Sequence, residues 1–301
     1  MTRARQLIHT HIKDVGGIPV RRALPGREVR RIGAWCFLDH IGPSTPPVDK
    51  PLNVGPHPHI GLQTFTWMIS GEILHRDSLG FEQWIRPGQV NLMTAGRGIA
   101  HSEESPHGGG KLVHAVQLWI ALPDAERHRA PDFTHYPELP RHKEQGLEAT
   151  LLVGEAFGLK APTQVYSPLL AVDLLVVENT RASLPLRADF EYGLICLEGE
   201  VEIEAPAGAQ KVEPGQLLYL GLGDEALSLA AARGTRLLLV GGEPLREDIL
   251  LWWNFVARTQ AEIEQASLDW NAGRHFAEVT HSSLPRLQAP SIEGLKLGVR
   301  S

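Results

Sequence analysis

The chain has 301 residues, 43% hydrophobic and 21% charged, with 29 basic side chains against 35 acidic ones and a formal net charge of −6. That length suggests roughly two domains and is ample to bury real cores. The acidic balance lacks the basic excess that sequence-independent nucleic-acid binding uses, so no direct nucleic-acid partner is expected. No apolar run approaches the roughly 18 residues of a membrane span, and the opening MTRARQLIHTHIKD has no apolar leader core. Cys36 and Cys196 both sit in apolar runs (AWCFL and LICLEG), as reduced core thiols do. A cytoplasmic location is the expectation.

In chain order, LQTFTWMIS, QVNLMTA, LVHAVQLWIAL, ATLLVG, LLAVDLLVV, YGLICLEG, EVEIEAP, QLLYLG and TRLLLVGG each read as a short strand. Turn residues separate them (SGE, RPGQ, AGRG, LEGE, EPGQ), the pattern of a β-sandwich or barrel. The polar, proline-rich segment 125–146 reads as a connection between halves. One helix is expected, near 259–273: Thr259 and Glu262 form a capping box and Gly273 suits the C-terminal stop.

The halves resemble each other. Ile69-Ser70-Gly71-Glu72-Ile73 matches Leu197-Glu198-Gly199-Glu200-Val201, an offset of 199 − 71 = 128. Pro87-Gly88-Gln89 matches Pro214-Gly215-Gln216, an offset of 214 − 87 = 127. A repeat of that length is a duplicated domain, so two similar β-domains are expected, at 1–135 and 136–301.

GPHPHIGL carries His57 and His59 two apart, on one face of a strand. With 14 histidines in the chain, about 0.6 such pairs arise by chance, and His9 and His11 form another. Only the first pair is followed by TAGRGIAHSEES, where His101 and Glu103 again lie two apart. If the two strands face each other across a small barrel, three imidazoles and one carboxylate converge on a divalent transition metal. That donor set leaves Fe(II), Mn(II), Ni(II), Cu(II) and Zn(II) open, and an octahedral ion would keep two positions for water, substrate or dioxygen. His9 and His11 read as an ordinary exposed or half-buried pair.

Several other residues read as structural. His75, His107 and His114 suit surface or turn positions ahead of a supporting role at the metal. Arg97 suits a solvent-facing turn and Asp39, beside His40, a turn as readily as a function. Trp67, Trp84 and Trp119 read as core, and Trp252-Trp253 as docking the C-terminal segment onto a barrel.

The run HPHIGLQTFTWMISGEILHRDSLG…IRPGQVNLMTAGRGIAHSEES resembles the pirin family of the cupin superfamily. The resemblance extends through VRRALPGREVRRIGAWCFLDHIGP, LVHAVQLWIALP, VGEAFGLKAPTQVYSPLLAVDLLV and WWNFVARTQAEIEQASLDWNAGRHF, nearly the whole chain. It implies an all-β bicupin: two tandem cupin (double-stranded β-helix, or jelly-roll) barrels with a short C-terminal helix. It also implies one metal, commonly iron, in the N-terminal barrel only, on His57, His59, His101 and Glu103. Cupins usually place a glutamate a few residues after the second histidine; this chain has Gln63, one negative charge fewer near the site. Carrying the four ligands into the second half lands on Pro185, Arg187, Ser228 and Ala230, none of which can replace them.

The resemblance implies a quercetin 2,3-dioxygenase-type oxidoreductase, cleaving a flavonol with O2, with Glu103 as the catalytic base. The alternative it implies is a non-enzymatic, metal-containing regulator that binds other proteins, transcription factors or metabolic enzymes among them. A third is another small-molecule cupin enzyme such as an isomerase.

Overall fold

The computed structural model describes residues 5–105, 107–204 and 208–298. The first four residues of the N-terminal segment, the last two of the EVEIEAP run and the outermost C-terminal residues lie outside them. Among the described residues the chain forms strands and a single helix. The strands are β1 (Gln6–His9), β2 (His11–Val15), β3 (Ile18–Leu24), β4 (Trp35–Ser44), β5 (Asn53–His59), β6 (Leu62–Ser70), β7 (Ile73–Asp77), β8 (Glu82–Ile85) and β9 (Val90–Thr94). They continue as β10 (Ile99–Glu104), β11 (Val113–Ala121), β12 (Asp132–Tyr136), β13 (Arg141–Glu144), β14 (Leu147–Val153), β15 (Glu155–Ala156), β16 (Leu159–Lys160), β17 (Leu169–Val176) and β18 (Thr180–Pro185). The last are β19 (Glu191–Glu198), β20 (Val201–Ile203), β21 (Gln210–Val212), β22 (Gln216–Gly221), β23 (Ala226–Ala231), β24 (Arg236–Gly242), β25 (Leu250–Trp252) and β26 (Phe255–Ala257), before α1 (Gln260–Asn271).

The repeat seen in the sequence is a repeat of topology. One four-stranded sheet runs β5-β10-β7-β8 and its counterpart β18-β23-β20-β21. The larger sheets share the core order β9-β6-β11 and β22-β19-β24. The two Pro-Gly-Gln turns close alike: Gln89 Oε1 accepts from Arg86 N and Gln216 Oε1 from Glu213 N, both at 2.9 Å. Sequence spacing was conserved because the same side-chain-to-backbone bond shapes the same turn.

The chain divides into two compact units that are interleaved in sequence. A companion unit comprises Met1–Ile12, Arg21–Asp39 and Glu138–Leu245; a metal-site unit comprises Lys13–Val20, His40–Pro137 and Arg246–Ser301. The border at Pro137/Glu138 lies close to the expected cut at 135/136, but both ends of the chain cross over. Strand β1 pairs antiparallel with β22 inside the companion unit, and the C-terminal segment packs within the metal-site unit. The segment 125–146 is more than a connection: Asp132–Tyr136 pairs with β9 and Arg141–Glu144 with β14. Both are sheet-edge strands, where polar side chains carry no alternation to read.

The companion unit fills its interior with aliphatic side chains from both sheets, among them Leu151, Val172, Leu194, Leu227 and Leu239. Cys36 and Cys196 are both buried and not disulfide-bonded, as their apolar settings implied. The helix has the expected capping box, with Thr259 as N-cap, and Gly273 follows it at φ 68°. Ile263, Ala266 and Trp270 of this helix pack on Phe255, Phe276 and Ala100. Among the described residues no helix is long and apolar enough to cross a membrane.

The C-terminal segment meets the barrel through backbone. Val256 N donates to Ile60 O at 3.1 Å, and Ile60 bridges Phe255 in parallel. Gly61 makes this approach fit: its φ is 68°, and a Cβ there would stand 2.1 Å from Val256 O. Gly61→Ala should therefore lift the β25–β26 hairpin off the barrel. We expect a loss of roughly 1–3 kcal/mol from the backbone conformation alone, read as a lowered melting temperature. An unchanged melting temperature would contradict this docking.

Candidate metal centre

His57, His59 and His101 come together as the sequence pattern suggested, but by another route. Strands β5 and β10 do not oppose each other across a barrel; they are hydrogen-bonded neighbours, with His101 directly opposite His57. The two rings lie 4.4 Å apart between centroids, and His59 is 5.0 Å from each. One nitrogen from each of the three falls within 4.8 Å of the others. Pro58 between them is tolerated because β5 is the edge strand of its sheet. A register shift between His101 and Glu103 breaks regular pairing with β5, and bulges of this kind re-aim side chains next to sites.

The proton on each ring is fixed from behind. A carbonyl oxygen can only accept, so His57 Nδ1–H donates to Gly55 O at 2.9 Å and His59 Nδ1–H to Asn254 O at 3.0 Å. His101 Nδ1 faces His75 Nδ1 at 3.2 Å, while His75 Nε2 faces Asp77 Oδ2 at 3.0 Å. The Asp77 carboxylate also accepts from Leu79 N and Phe81 N. His75 therefore donates to Asp77 through Nε2, which leaves its Nδ1 to accept from His101. All three site histidines then present a bare Nε2 inward.

Electrostatics agree with that assignment. The three are buried, at 6%, 1% and 2% exposure. Loss of water lowers His57 to about 4 and carries His59 and His101 well below the ordinary imidazole range, with the neighbouring rings adding to the effect. Neutral rings cannot share a proton between them, yet His59 Nε2 and His101 Nε2 stand 3.1 Å apart. Lone pairs at that distance repel; a cation between them turns the repulsion into ligation. The residues present fit one divalent metal ion, and the carbonyl and carboxylate partners behind the rings are the usual means of orienting ligating histidines.

Glu103, expected as the fourth ligand, lies two residues from His101 on β10, half-buried and opposite His75, and is not part of the cluster that the three histidines form. Burial pushes its carboxyl up to about 7, against a hydrogen bond with the Thr66 hydroxyl that works the other way. Thr66 Oγ1 also lies 2.8 Å from the side-chain amide of Gln117. Gln63 is fully buried on β6 and donates to Thr94 Oγ1 at 2.9 Å. Trp119 sets its edge against His59, and Phe133 stacks on His75 at 12°.

His75 and His114 were read as surface or turn residues and are neither. Both are buried, His75 behind His101 and His114 with its Nε2 2.9 Å from His40 Nε2. His75-x-Asp77 was legible as a third pair with strand spacing, although nothing in it tells support from ligation. Asn254 had no sequence signal at all, since its contribution is a backbone carbonyl. Arg97 and His107 are exposed as expected, His107 stacking on Trp84. Asp39 is held by Arg22 in a two-pronged pair at 2.7 and 2.8 Å. His9 and His11 are exposed and fall on separate strands.

Pirin family models match this chain twice, as Pirin over residues 17–120 and as Pirin C-terminal cupin domain over 171–276. The chain belongs to the pirin family. It is 52% identical over 278 residues to the Pseudomonas aeruginosa protein named "Putative quercetin 2,3-dioxygenase", covering 92% of this chain and 87% of that one. It is 41% identical to a pirin-like protein of Caulobacter vibrioides, over 87% of this chain and 91% of the other. A crystal structure titled quercetin 2,3-dioxygenase, from Acinetobacter baumannii, superposes with a TM-score of 0.93 at 45% identity, covering 98% of both chains. Both pirin domains are therefore cupins, and the fold is the all-β bicupin that the resemblance implied.

Two substitutions test the site. His101→Ala should drop the metal content of the purified protein from near one ion per chain to close to zero. His75→Phe keeps the stack on Phe133 but leaves His101 Nδ1 without its acceptor, so metal affinity should fall by roughly 10–100-fold in competition with a chromophoric chelator. His107→Ala is the control and should leave affinity unchanged. Full metal retention by His101→Ala would show that the site lies elsewhere.

Proposed function

We propose that this pirin-family protein is an iron(II)-dependent quercetin 2,3-dioxygenase. The observation that carries the proposal is the cluster of three neutral, back-locked imidazoles, His57, His59 and His101, with the Glu103 carboxyl, which burial pushes up to about 7, two residues from His101 on the same strand. The likeness to relatives bearing the quercetin 2,3-dioxygenase name supports the substrate class.

His57, His59, His101 and Glu103 would hold the ion, and iron bound there would supply Lewis acidity and a redox-active centre for O2. Glu103 has the role of general base. Burial brings this carboxyl to about 7, so its environment makes it a stronger base than an ordinary glutamate. It takes the proton of the flavonol 3-hydroxyl, and a hydrogen bond with the Thr66 hydroxyl holds the carboxyl in place for that transfer. Trp119, 6% exposed and edge-on to His59, gives the cluster an apolar wall that limits water at the oxyanion. In the overall change the C2–C3 and C3–C4 bonds break. C3 leaves as carbon monoxide, and both atoms of O2 enter the ring-opened ester. The protein works inside the cell on a small aromatic substrate.

Anaerobic loading with Fe(II), followed by quercetin and air, should give oxygen uptake with one carbon monoxide per flavonol consumed. Glu103→Gln should slow it by roughly 10²–10⁴-fold. No turnover from a filled, reducible site would sink the proposal and point to the protein-binding role instead.

Metal uptake should also be pH-dependent in a defined direction. Glu103, raised to about 7, must lose its proton to ligate below that pH, whereas the three histidines, all carried well below the ordinary imidazole range, have none to lose. Calorimetry in buffers of different ionisation heat should find about one proton released at pH 6 and close to none at pH 8. Release of two or more protons at pH 6 would contradict the neutral-histidine assignment.

A further inference from the structure

Two hairpin turns of the companion unit share an anomaly. β13 and β14 are joined by Gln145-Gly146, at φ 51° and 72°, and β15 and β16 by Phe157-Gly158, at φ 55° and 71°. Each is a two-residue loop, with Glu144 paired to Leu147 and Ala156 to Leu159. Two successive positive φ values define the type I′ turn, whose first position strongly favours Asn, Asp or Gly. Side chains without a short polar group pay for the left-handed conformation. Here that position holds glutamine in one turn and phenylalanine in the other, and residues held in such conformations cluster at ligand clamps.

Both side chains line the same cavity, of about 270 Å³. The Phe157 ring lies flat on His142, at 2° and 4.9 Å, and His142 Nε2 is fixed by Glu144 Oε2 at 3.1 Å. Gln145 Oε1 accepts from Ser183 N at 3.3 Å. The floor is Leu147, Ala149, Leu174, Ala182 and Leu184, all at most 7% exposed. The space exists because inward positions carry alanine, Ala149 on β14 and Ala182 on β18, where their neighbours carry leucine. Leu184 and Ala182 sit on the strand that corresponds in topology to β5, the strand of His57 and His59. Where one barrel has imidazoles, the other has an apolar slot with an aromatic wall.

We infer that this cavity is a second small-molecule site, which takes an uncharged single-ring phenol. Its volume is nearly twice the ~150 Å³ that accommodates benzene in an apolar protein cavity, enough for one substituted ring and too little for three fused or linked rings. The flat Phe157–His142 wall and the aliphatic floor suit a ring. The rim offers acceptors, Gln145 Oε1 and the Glu144 carboxylate, to a hydroxyl donor, and that carboxylate disfavours anions. This inference is independent of the dioxygenase proposal.

Calorimetric titration of phenol into the metal-loaded full chain should show saturable binding with a Kd on the order of 1 mM. Benzoate should bind roughly tenfold more weakly. Ala182→Phe, which fills the slot, and Phe157→Asn, which removes its wall, should each weaken phenol binding by roughly tenfold with metal content unchanged. Phe157→Asn installs the favoured Asn-Gly turn, so its melting temperature should match or exceed that of the parent. If Ala182→Phe does not fold, Phe157→Asn alone decides. Absence of saturable binding up to about 10 mM phenol overturns the inference. So does unchanged affinity in the variants, or a Phe157→Asn protein that melts early yet still binds phenol.

Discussion

Three buried imidazoles, each with a nitrogen within 4.8 Å of the other two, set the terms for the metal-site unit. Each ring is fixed by an acceptor behind it: a carbonyl at Gly55, a carbonyl at Asn254, and the His75–Asp77 pair. Left to themselves these nitrogens would repel, and burial denies them the protons that would relieve it. A cation would complete the arrangement. Much of the surrounding architecture serves this constraint. Strand β7 brings His75 and Asp77 beside β10, and the β25–β26 hairpin reaches β5 with the Asn254 carbonyl, at a point where Gly61 alone permits the approach.

The same frame built without that constraint is instructive. In the companion unit the strands that correspond to β5 and β10 turn Ala182, Leu184, Leu227 and Leu229 inward. Topology and turn chemistry survive, down to the glutamine that closes each Pro-Gly-Gln turn. Among the described residues, aliphatic side chains pack the interior of this unit where the other has imidazoles. A duplicated scaffold thus separates what the fold requires, which both units keep, from what metal chemistry requires, which one keeps.

The His57-x-His59 and His101-x-Glu103 pairs were legible because strand geometry imposes a period of two on any residues that must share a face. The helix was legible because Thr259 and Glu262 make a capping box within four residues. What escaped the sequence is non-local. The crossing of both chain ends between units depends on β1 pairing with β22, some 200 positions away, and edge strands such as β13 carry no alternation. The pairing of β5 with β10 as neighbours, in place of opposition across a barrel, is likewise a tertiary fact. Asn254 acts through its backbone, which every residue possesses, and His75 is distinguished from a ligand only by its neighbours.

The central claim is that the protein orients three Nε2 atoms, with the protons held on Nδ1, to receive one divalent metal. Anomalous scattering from crystals of the iron-loaded protein tests it most directly. A single strong metal peak bonded to Nε2 of His57, His59 and His101, with a Glu103 oxygen alongside, is the predicted result. Coordination through Nδ1 of any of the three, or a metal peak outside this cluster, would contradict the account.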